Sequence, residues 1–146
     1  MLTSLLTVLG FKPSNPLKSL HTMQDAYEHI RNHFKTQKVG AYDNETGTCK
    51  YKTPSGLTCA VGCMISVNHY SYSLEGRTIT AIAVQEAVRD STNLDIKDHA
   101  LIGFLRKCQE IHDSIASGKI VGILSVRGVE WLDDLANQYD LDVVKD

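Results

Sequence analysis

The chain has 146 residues, of which 42% are apolar and 22% are charged, and its formal net charge at pH 7 is −2. A chain of this length buries enough apolar surface to fold as one domain without a metal ion or disulfide bonds. The slightly acidic balance argues against general nucleic-acid binding, which is typical of basic proteins, but it allows a local basic pocket.

The first residues form a short apolar segment, MLTSLLTVLG. The segment lacks the positively charged start and the cleavage site of a signal peptide, and no stretch has the roughly 20 apolar residues of a membrane span. We therefore predict a docking helix over residues 1–12, a proline-containing linker over 13–18, a cytoplasmic location and no membrane association. The apolar segment also makes a homo-oligomer one expected arrangement.

Four later segments carry apolar side chains at helical spacing, which predicts helices over residues 22–34, 78–90 and 98–117 and a last helix from Val129. In the first of them, Thr22 and the acidic residue three positions later resemble a capping box. The start of the second segment is also compatible with a strand, and residues 119–127 are compatible with a strand or an apolar turn.

The stretch CKYKTPSGLTC, from Cys49 to Cys59, alternates with period two on both sides of a Pro-Ser-Gly turn. It predicts a β-hairpin, followed by a short helix around Ala60–Ile65. The predicted fold is therefore α+β and mainly helical, with four or five helices around one small β-hairpin in a single domain.

Three of the four cysteines, Cys49, Cys59 and Cys63, lie in or just after this stretch. Buried free cysteine behaves as a small apolar residue, and packing is the interpretation that we favour. Two alternatives stay open: a zinc site that adds His69, and a disulfide between Cys49 and Cys59. Only Cys59 and Cys63 have the close spacing with which structural zinc sites begin.

A third alternative is a nucleophilic Cys59 at a helix N-terminus, served by His112 and Asp113. Adjacent helical residues point about 100° apart, so we expect Asp113 not to orient His112 itself. His29 and His33 share a helix face, but the glutamate of the H-E-x-x-H pattern is absent, and we expect a solvated flank. The prediction is therefore no catalytic set, with Cys59, His112 and Asp113 as the alternative.

Basic and small residues between positions 50 and 77 indicate an anion-binding site. Lys50 and Lys52 share a face of the predicted strand, and Arg77 precedes a predicted helix N-terminus, which favours phosphate groups. A solvated lysine edge that discourages strand pairing is the alternative. The predicted ligand-binding residues are Lys50, Tyr51, Lys52, Ser55, Gly56, Tyr70 and Arg77.

The stretch CKYKTPSGLTCAVGCMI, followed by HY and LEG, resembles a motif of small uncharacterised proteins from bacteria and their phages. The family pattern is roughly C-x-Y-R-x-x-x-G-x-K-C-A-V-G-x-L-I, and its later L-Q-x-I-H-D is similar to CQEIHD here. The chain has Lys52 and Thr58 where the family has arginine and lysine. The family match marks the following positions: Cys49, Tyr51, Gly56, Cys59, Gly62, Tyr70, Glu75, Gly76, His112 and Asp113.

This resemblance covers most of residues 20–141 and implies a phage or mobile-element setting in the host cytoplasm, without an agreed activity. The resulting hypothesis is a non-enzymatic accessory protein that binds a host protein or sequesters an anionic, nucleotide-like small molecule, as in counter-defence, without a cofactor. The alternatives are a cysteine-dependent hydrolase or transferase using Cys59 and a zinc-stabilised interaction module.

Overall fold

The computed structural model of the chain describes residues 17–146. The predicted docking helix at residues 1–12 and positions 13–16 of the predicted linker lie outside the described residues. Residues 17 and 18 lie in a 3₁₀ turn, Leu17–Ser19. The chain just after this turn is held by Asn93, whose backbone N–H donates to the carbonyl of Leu20 at 2.9 Å.

The described chain contains four α-helices: α1 at Met23–Gln37, α2 at Ile82–Ser91, α3 at His99–Ala116 and α4 at Val129–Gln138. They confirm the mainly helical α+β fold that the apolar spacing predicts. Helix α1 begins with the predicted capping box, in which Thr22 and Asp25 bond each other's backbone N–H groups. Asp98 caps α3, and Gly118, with a φ of +77°, follows its end.

Helix α2 begins four residues later than predicted, at Ile82 rather than Thr78. The hydroxyl of Thr78 contacts the hydroxyl of Thr80 at 2.5 Å and accepts the Thr80 backbone N–H at 3.3 Å. Such local side-chain bonds satisfy the backbone outside a helix, so they compete with helix formation. The residues before Ile82 form a turn and no strand.

The β-hairpin lies before the predicted position. Strand β1 at Tyr42–Asp43 pairs antiparallel with β2 at Thr48–Cys49. At residues 49–61 the predicted turn is present, but the pairing is reduced to one bridge between Lys52 and Thr58. The prediction of a hairpin here was wrong in extent, because the backbone N–H groups of Tyr51 and Lys52 donate to the carboxylate of Glu75.

The core lies between α1, α3 and α4. The chain enters α4 through a π-helical turn, Leu124–Gly128, which packs against α1 and α3. A Cβ at Gly128 would crowd Leu124 and Phe34, so glycine permits this close approach. The largest fully buried side chains include Tyr27, Phe34, Phe104, Leu105 and Leu132.

All four cysteines are free thiols, and Cys59 and Cys108 are buried in the core. No disulfide joins Cys49 to Cys59. In the observed register Cys49 pairs with Tyr42, while the Cys59 backbone N–H donates to Tyr51, so the two cysteines do not face each other.

The C-terminal residues pack along α1. Gln24 exchanges two hydrogen bonds with the backbone of Asp142, at 2.8 and 2.9 Å. The buried guanidinium of Arg31 bonds Asp133 on α4 and Asp146. Within residues 17–146, no helix has the length and apolar character needed to span a membrane.

Candidate functional site

A cleft of about 780 Å³ opens beside α3. One wall is the polar face of this helix, where side chains three or four positions apart point the same way. The other walls are residues 48–51, at the end of the hairpin, and residues 75–80, before α2. The volume lies within the range of small-molecule sites in proteins. The α3 residues that line it are Arg106, Gln109, Glu110, Asp113 and Ser114, and Ser117, the C-cap of the helix, continues this wall.

Glu75 holds the two non-helical walls together. Its carboxylate accepts the backbone N–H groups of Tyr51 at 2.8 Å and Lys52 at 3.2 Å, and the hydroxyl of Tyr70 at 2.6 Å. These bonds replace the strand pairing predicted for this segment. Carboxylates that accept several hydrogen bonds are strong anchors, so Glu75 fixes the position of the cleft rim.

Tyr51 supports the same rim from below. Its ring is buried, and its hydroxyl donates to the backbone carbonyl of Arg77 at 2.5 Å. Burial raises the pKa of this hydroxyl above its ordinary value. Tyr51 therefore lines the cleft as a structural side chain, and its ring is not free to stack a ligand base.

Four cationic side chains line the cleft: Lys50, Arg77, Arg106 and Lys119. Arg106 forms a 3.8 Å ion pair with Glu110 on the exposed face of α3. Among the ion pairs of residues 17–146, none includes Lys50, Arg77 or Lys119. The ammonium group of Lys50 lies 5.7 Å from the centre of the Tyr72 ring, and the Arg77 Nε donates to the carbonyl of Ser73. Three cations therefore line the cleft without a carboxylate partner among residues 17–146.

Asp113 projects from α3 into the cleft and is held by two neighbours. Its Oδ1 accepts Gln109 Nε2–H at 2.6 Å and His112 Nδ1–H at 2.8 Å. The expectation that Asp113 does not orient His112 was wrong. The Nδ1 atom lies close to its own backbone, and from there it reaches the carboxylate of the next residue.

The tautomer of His112 follows from its second contact. The backbone N–H of Ala41 donates to Nε2 at 2.9 Å, so Nε2 carries no hydrogen and Nδ1 carries it. The ring is fully buried, and both nitrogens are occupied. His112 is therefore a positioning residue for Asp113 and has no free nitrogen with which to act as a base.

Cys49, His112 and Asp113 place candidate metal-ligand atoms within 4.8 Å of one another, as the one such group in residues 17–146. The group does not fit a metal ion. Coordination through Nδ1 would move the imidazole hydrogen to Nε2, where it would oppose the N–H of Ala41. Burial also raises the pKa of the Cys49 thiol to about 12, so a thiolate ligand is disfavoured.

The zinc ligands predicted as an alternative do not converge. Cys59 Sγ accepts the Gly62 N–H at 3.3 Å, and Cys63 donates to the carbonyl of Ala60 at 3.0 Å. His69 is exposed, and its Nδ1 contacts the hydroxyl of Ser66. Each zinc ligand must lie about 2 Å from the ion. Cys59, Cys63 and His69 do not place their ligand atoms close enough together for this.

Cys59 lies at the buried floor of the cleft. Burial raises the pKa of its thiol well above the ordinary value, and that of Cys63 to about 12. A reactive cysteine needs the opposite shift, because the thiolate is the nucleophile. The environment of Cys59 therefore favours the packing interpretation.

The structure divides the predicted ligand-binding residues. Lys50, Tyr51 and Arg77 line the cleft, and the other four do not. Lys52 lies over the ring of Tyr70, whose hydroxyl is bonded to Glu75. The remaining two belong to the turn, where the hydroxyl of Ser55 contacts Thr53 and Gly56 has a φ of +93°.

The sequence interpretation missed Arg106 and Lys119, the cations at the two ends of the α3 wall. The spacing of Arg106, Glu110 and Asp113 does place them on one helix face. A charged face of a helix is usually solvated, however, so the spacing alone carried no signal of a cleft.

His29 and His33 do not form the predicted solvated flank. The ring of His29 donates to the carbonyl of Cys63 at 3.0 Å, and that of His33 to the carbonyl of Thr58 at 2.8 Å. Both histidines therefore attach the cysteine-containing segment to α1.

Comparison with protein-family models, curated protein sequences and solved structures gives no significant match.

Proposed function

We propose that the protein binds a small anionic molecule of nucleotide size in the cleft beside α3, and that it holds this molecule without chemically changing it. The observation that carries the proposal is the convergence of three unpaired cations, Lys50, Arg77 and Lys119, on one cleft of about 780 Å³. These residues come from three separate parts of the chain, so the fold, rather than local sequence, brings their charges together.

The groups around these cations suit a phosphate-bearing ligand. Hydroxyl groups can donate to phosphate oxygens, and two serines and three threonines line the cleft. The carboxylate of Glu75 is occupied by three hydrogen bonds, which reduces its repulsion of an incoming anion. The hydroxyl residues are Thr48, Thr78, Thr80, Ser114 and Ser117.

The protonation and hydrogen bonding of the cysteine and histidine side chains at the cleft support binding of a ligand rather than its chemical conversion. The thiols of Cys49 and Cys59 are neutral at physiological pH, and both ring nitrogens of His112 are occupied. A nucleophile with an adjacent free base, which covalent catalysis requires, is not assembled from these residues.

The biological setting of this proposal is a phage or mobile element, with sequestration of a host signal as the effect. The resemblance of the Cys49–Ile65 stretch and of CQEIHD to phage and bacterial proteins supports it. Binding of a host protein is the other form of the same hypothesis, and it would leave the cleft cations without a small-molecule role.

Calorimetric titration with ATP at low ionic strength tests the proposal on single lysine variants. We expect Lys50→Ala and Lys119→Ala each to weaken binding about tenfold, the effect of one charge-assisted hydrogen bond. Lys52→Ala is the matched control, since it removes an equal charge two residues from Lys50 but outside the cleft, and it should leave the affinity within about twofold.

Two results would contradict the proposal. One is the absence of heat with wild-type protein for ATP, GTP, CTP and UTP at millimolar concentration. The other is an equal loss of affinity in Lys52→Ala and Lys50→Ala, which would place binding along residues 50–52 rather than in the cleft. Circular dichroism of each variant separates lost binding from lost folding.

A further inference from the structure

We infer that Asp113 makes the cleft selective for anions that also carry a hydrogen-bond donor, an amine or a hydroxyl group, so that nucleotides are preferred to inorganic polyphosphates. This inference rests on the proposed function, because it names the class of ligand that the same cleft would select. Asp113 is its specificity-determining residue, and His112 and Gln109 are positioning residues.

The two oxygens of the Asp113 carboxylate are used differently. Oδ1 accepts both protein donors, Gln109 and His112, whereas Oδ2 has no hydrogen bond within residues 17–146. The side chain is 43% exposed and lines the cleft. Oδ2 is therefore a charged acceptor available to a ligand.

Both groups that hold Oδ1 are themselves held. The Oε1 of Gln109 accepts the backbone N–H of Val61 at 3.0 Å, which leaves its amide nitrogen to donate to Asp113. His112 is fixed in the same sense by Ala41 at 2.9 Å. A carboxylate held by two anchored donors loses little freedom when a ligand binds, which is the usual advantage of a preorganised site.

The charge of Asp113 has a cost in this cleft, because it repels a ligand that is only anionic. Along α3 the cleft extends from Asp113 to Arg106, seven positions or about 10 Å away. A nucleotide spans this distance, so its phosphates can meet the cations while an amine or hydroxyl meets Oδ2. A fully ionised polyphosphate offers no donor, so it leaves the carboxylate unpaired and binds less tightly.

Paired titrations with ATP and inorganic triphosphate test the inference, because the two share the triphosphate and differ in the nucleoside. We expect the wild-type protein to bind ATP about tenfold more tightly, the value of one hydrogen bond to a charged acceptor. In Asp113→Asn, Oδ1 keeps its two donors while an amide N–H₂ replaces Oδ2. This preference should then disappear, and triphosphate should bind more tightly than to the wild type.

Glu110→Gln is the matched control, since it removes the same charge from the same helix face but at a carboxylate paired with Arg106. This variant should bind ATP and triphosphate more tightly by the same factor, so the ratio of the two affinities should not change. Two ATP analogues extend the test to the wild-type protein alone: one lacks the ribose hydroxyls and the other lacks the adenine amine. Loss of about tenfold in affinity for one of them is expected.

The outcomes separate the inference from the proposed function. Equal affinity of the wild-type protein for ATP, triphosphate and both analogues would overturn the donor selectivity and leave anion binding in place. If Asp113→Asn, like Glu110→Gln, changed the affinities for ATP and triphosphate by the same factor, the donor selectivity would likewise be overturned and anion binding would stand. Failure of every anion to bind the wild-type protein would overturn both.

Discussion

At the scale of single residues, a few groups determine how the rim of the cleft is built. Glu75 replaces a strand as the partner of two backbone N–H groups, and Gly62 allows the chain to pass directly over the carbonyl of Tyr51. A Cβ at Gly62 would overlap that carbonyl. The family resemblance marks this glycine, but it does not show which backbone atom lies against it.

Replacement of this glycine therefore has a definite expected cost. Gly62→Ala should lower the free energy of unfolding by about 2 kcal/mol or more, because the rigid backbone of Tyr51 must move to admit a methyl group. Gly103→Ala is the control within α3, where the new Cβ would lie 3.6 Å from the hydroxyl of Tyr139.

The control should instead stabilise the protein by about 0.5–1 kcal/mol through helix propensity. Urea unfolding followed by circular dichroism measures both changes. Similar stabilities for Gly62→Ala and the wild type would show that the chain does not pass Tyr51 as described.

At the scale of elements, α1 holds residues 58–63, the segment that contains Cys59 at the floor of the cleft. His29 and His33, one turn apart, donate to carbonyls on either side of Cys59. Burial lowers the pKa of His33 below the ordinary 6.5, an effect that its bond to Thr58 only partly offsets. The contact is therefore made by a neutral ring.

This shift predicts a pH dependence of stability. Since the pKa of His33 is lower in the folded than in the unfolded chain, the unfolded chain binds more protons as the pH falls below about 6.5. Folding stability should decrease through that range. In His33→Gln, whose amide can still donate to Thr58, this part of the decrease should be absent.

Thermal unfolding of both proteins between pH 7.5 and pH 5 measures the difference. The His69→Gln variant is the control, because this histidine is exposed and lies outside the α1 contact. An identical pH slope for His33→Gln and the wild type would contradict the assignment.

Helices were the elements that the sequence predicted best. The apolar period located all four, and a capping box marked the start of α1, since both signals are local. The hairpin and the start of α2 were less predictable, because side chains compete there for backbone groups: Glu75 for residues 51 and 52, and Thr78 for the first turn of α2. One of these competitors lies more than twenty residues away along the chain.

At the scale of the whole molecule, contacts between segments that are distant along the chain fix the C-terminal residues and assemble the cleft. Arg31 joins α1 to α4 and to the last residue, and Gln24 holds the segment before it. The cleft likewise combines residues 48–51, 75–80 and 106–119.

The sequence interpretation grouped residues that are close along the chain, and so it placed Lys52, Ser55 and Gly56 in the predicted site, whereas Arg106 and Lys119 line the cleft instead. The predicted site and the cleft share Lys50, Tyr51 and Arg77. These residues adjoin the cleft because Glu75 and the hydroxyl of Tyr51 join the two segments. Neither of these long-range bonds follows from local spacing.

The most direct measurement of the central claim is a titration of ¹⁵N-labelled protein with ATP, followed through the backbone amide chemical shifts. Binding in the cleft predicts saturable shifts in residues 48–51, 75–80 and 106–119, with little change in residues 54–56 and 66–69. Shifts centred on residues 52–56 and Tyr70, or no saturable shift in any amide, would contradict the account.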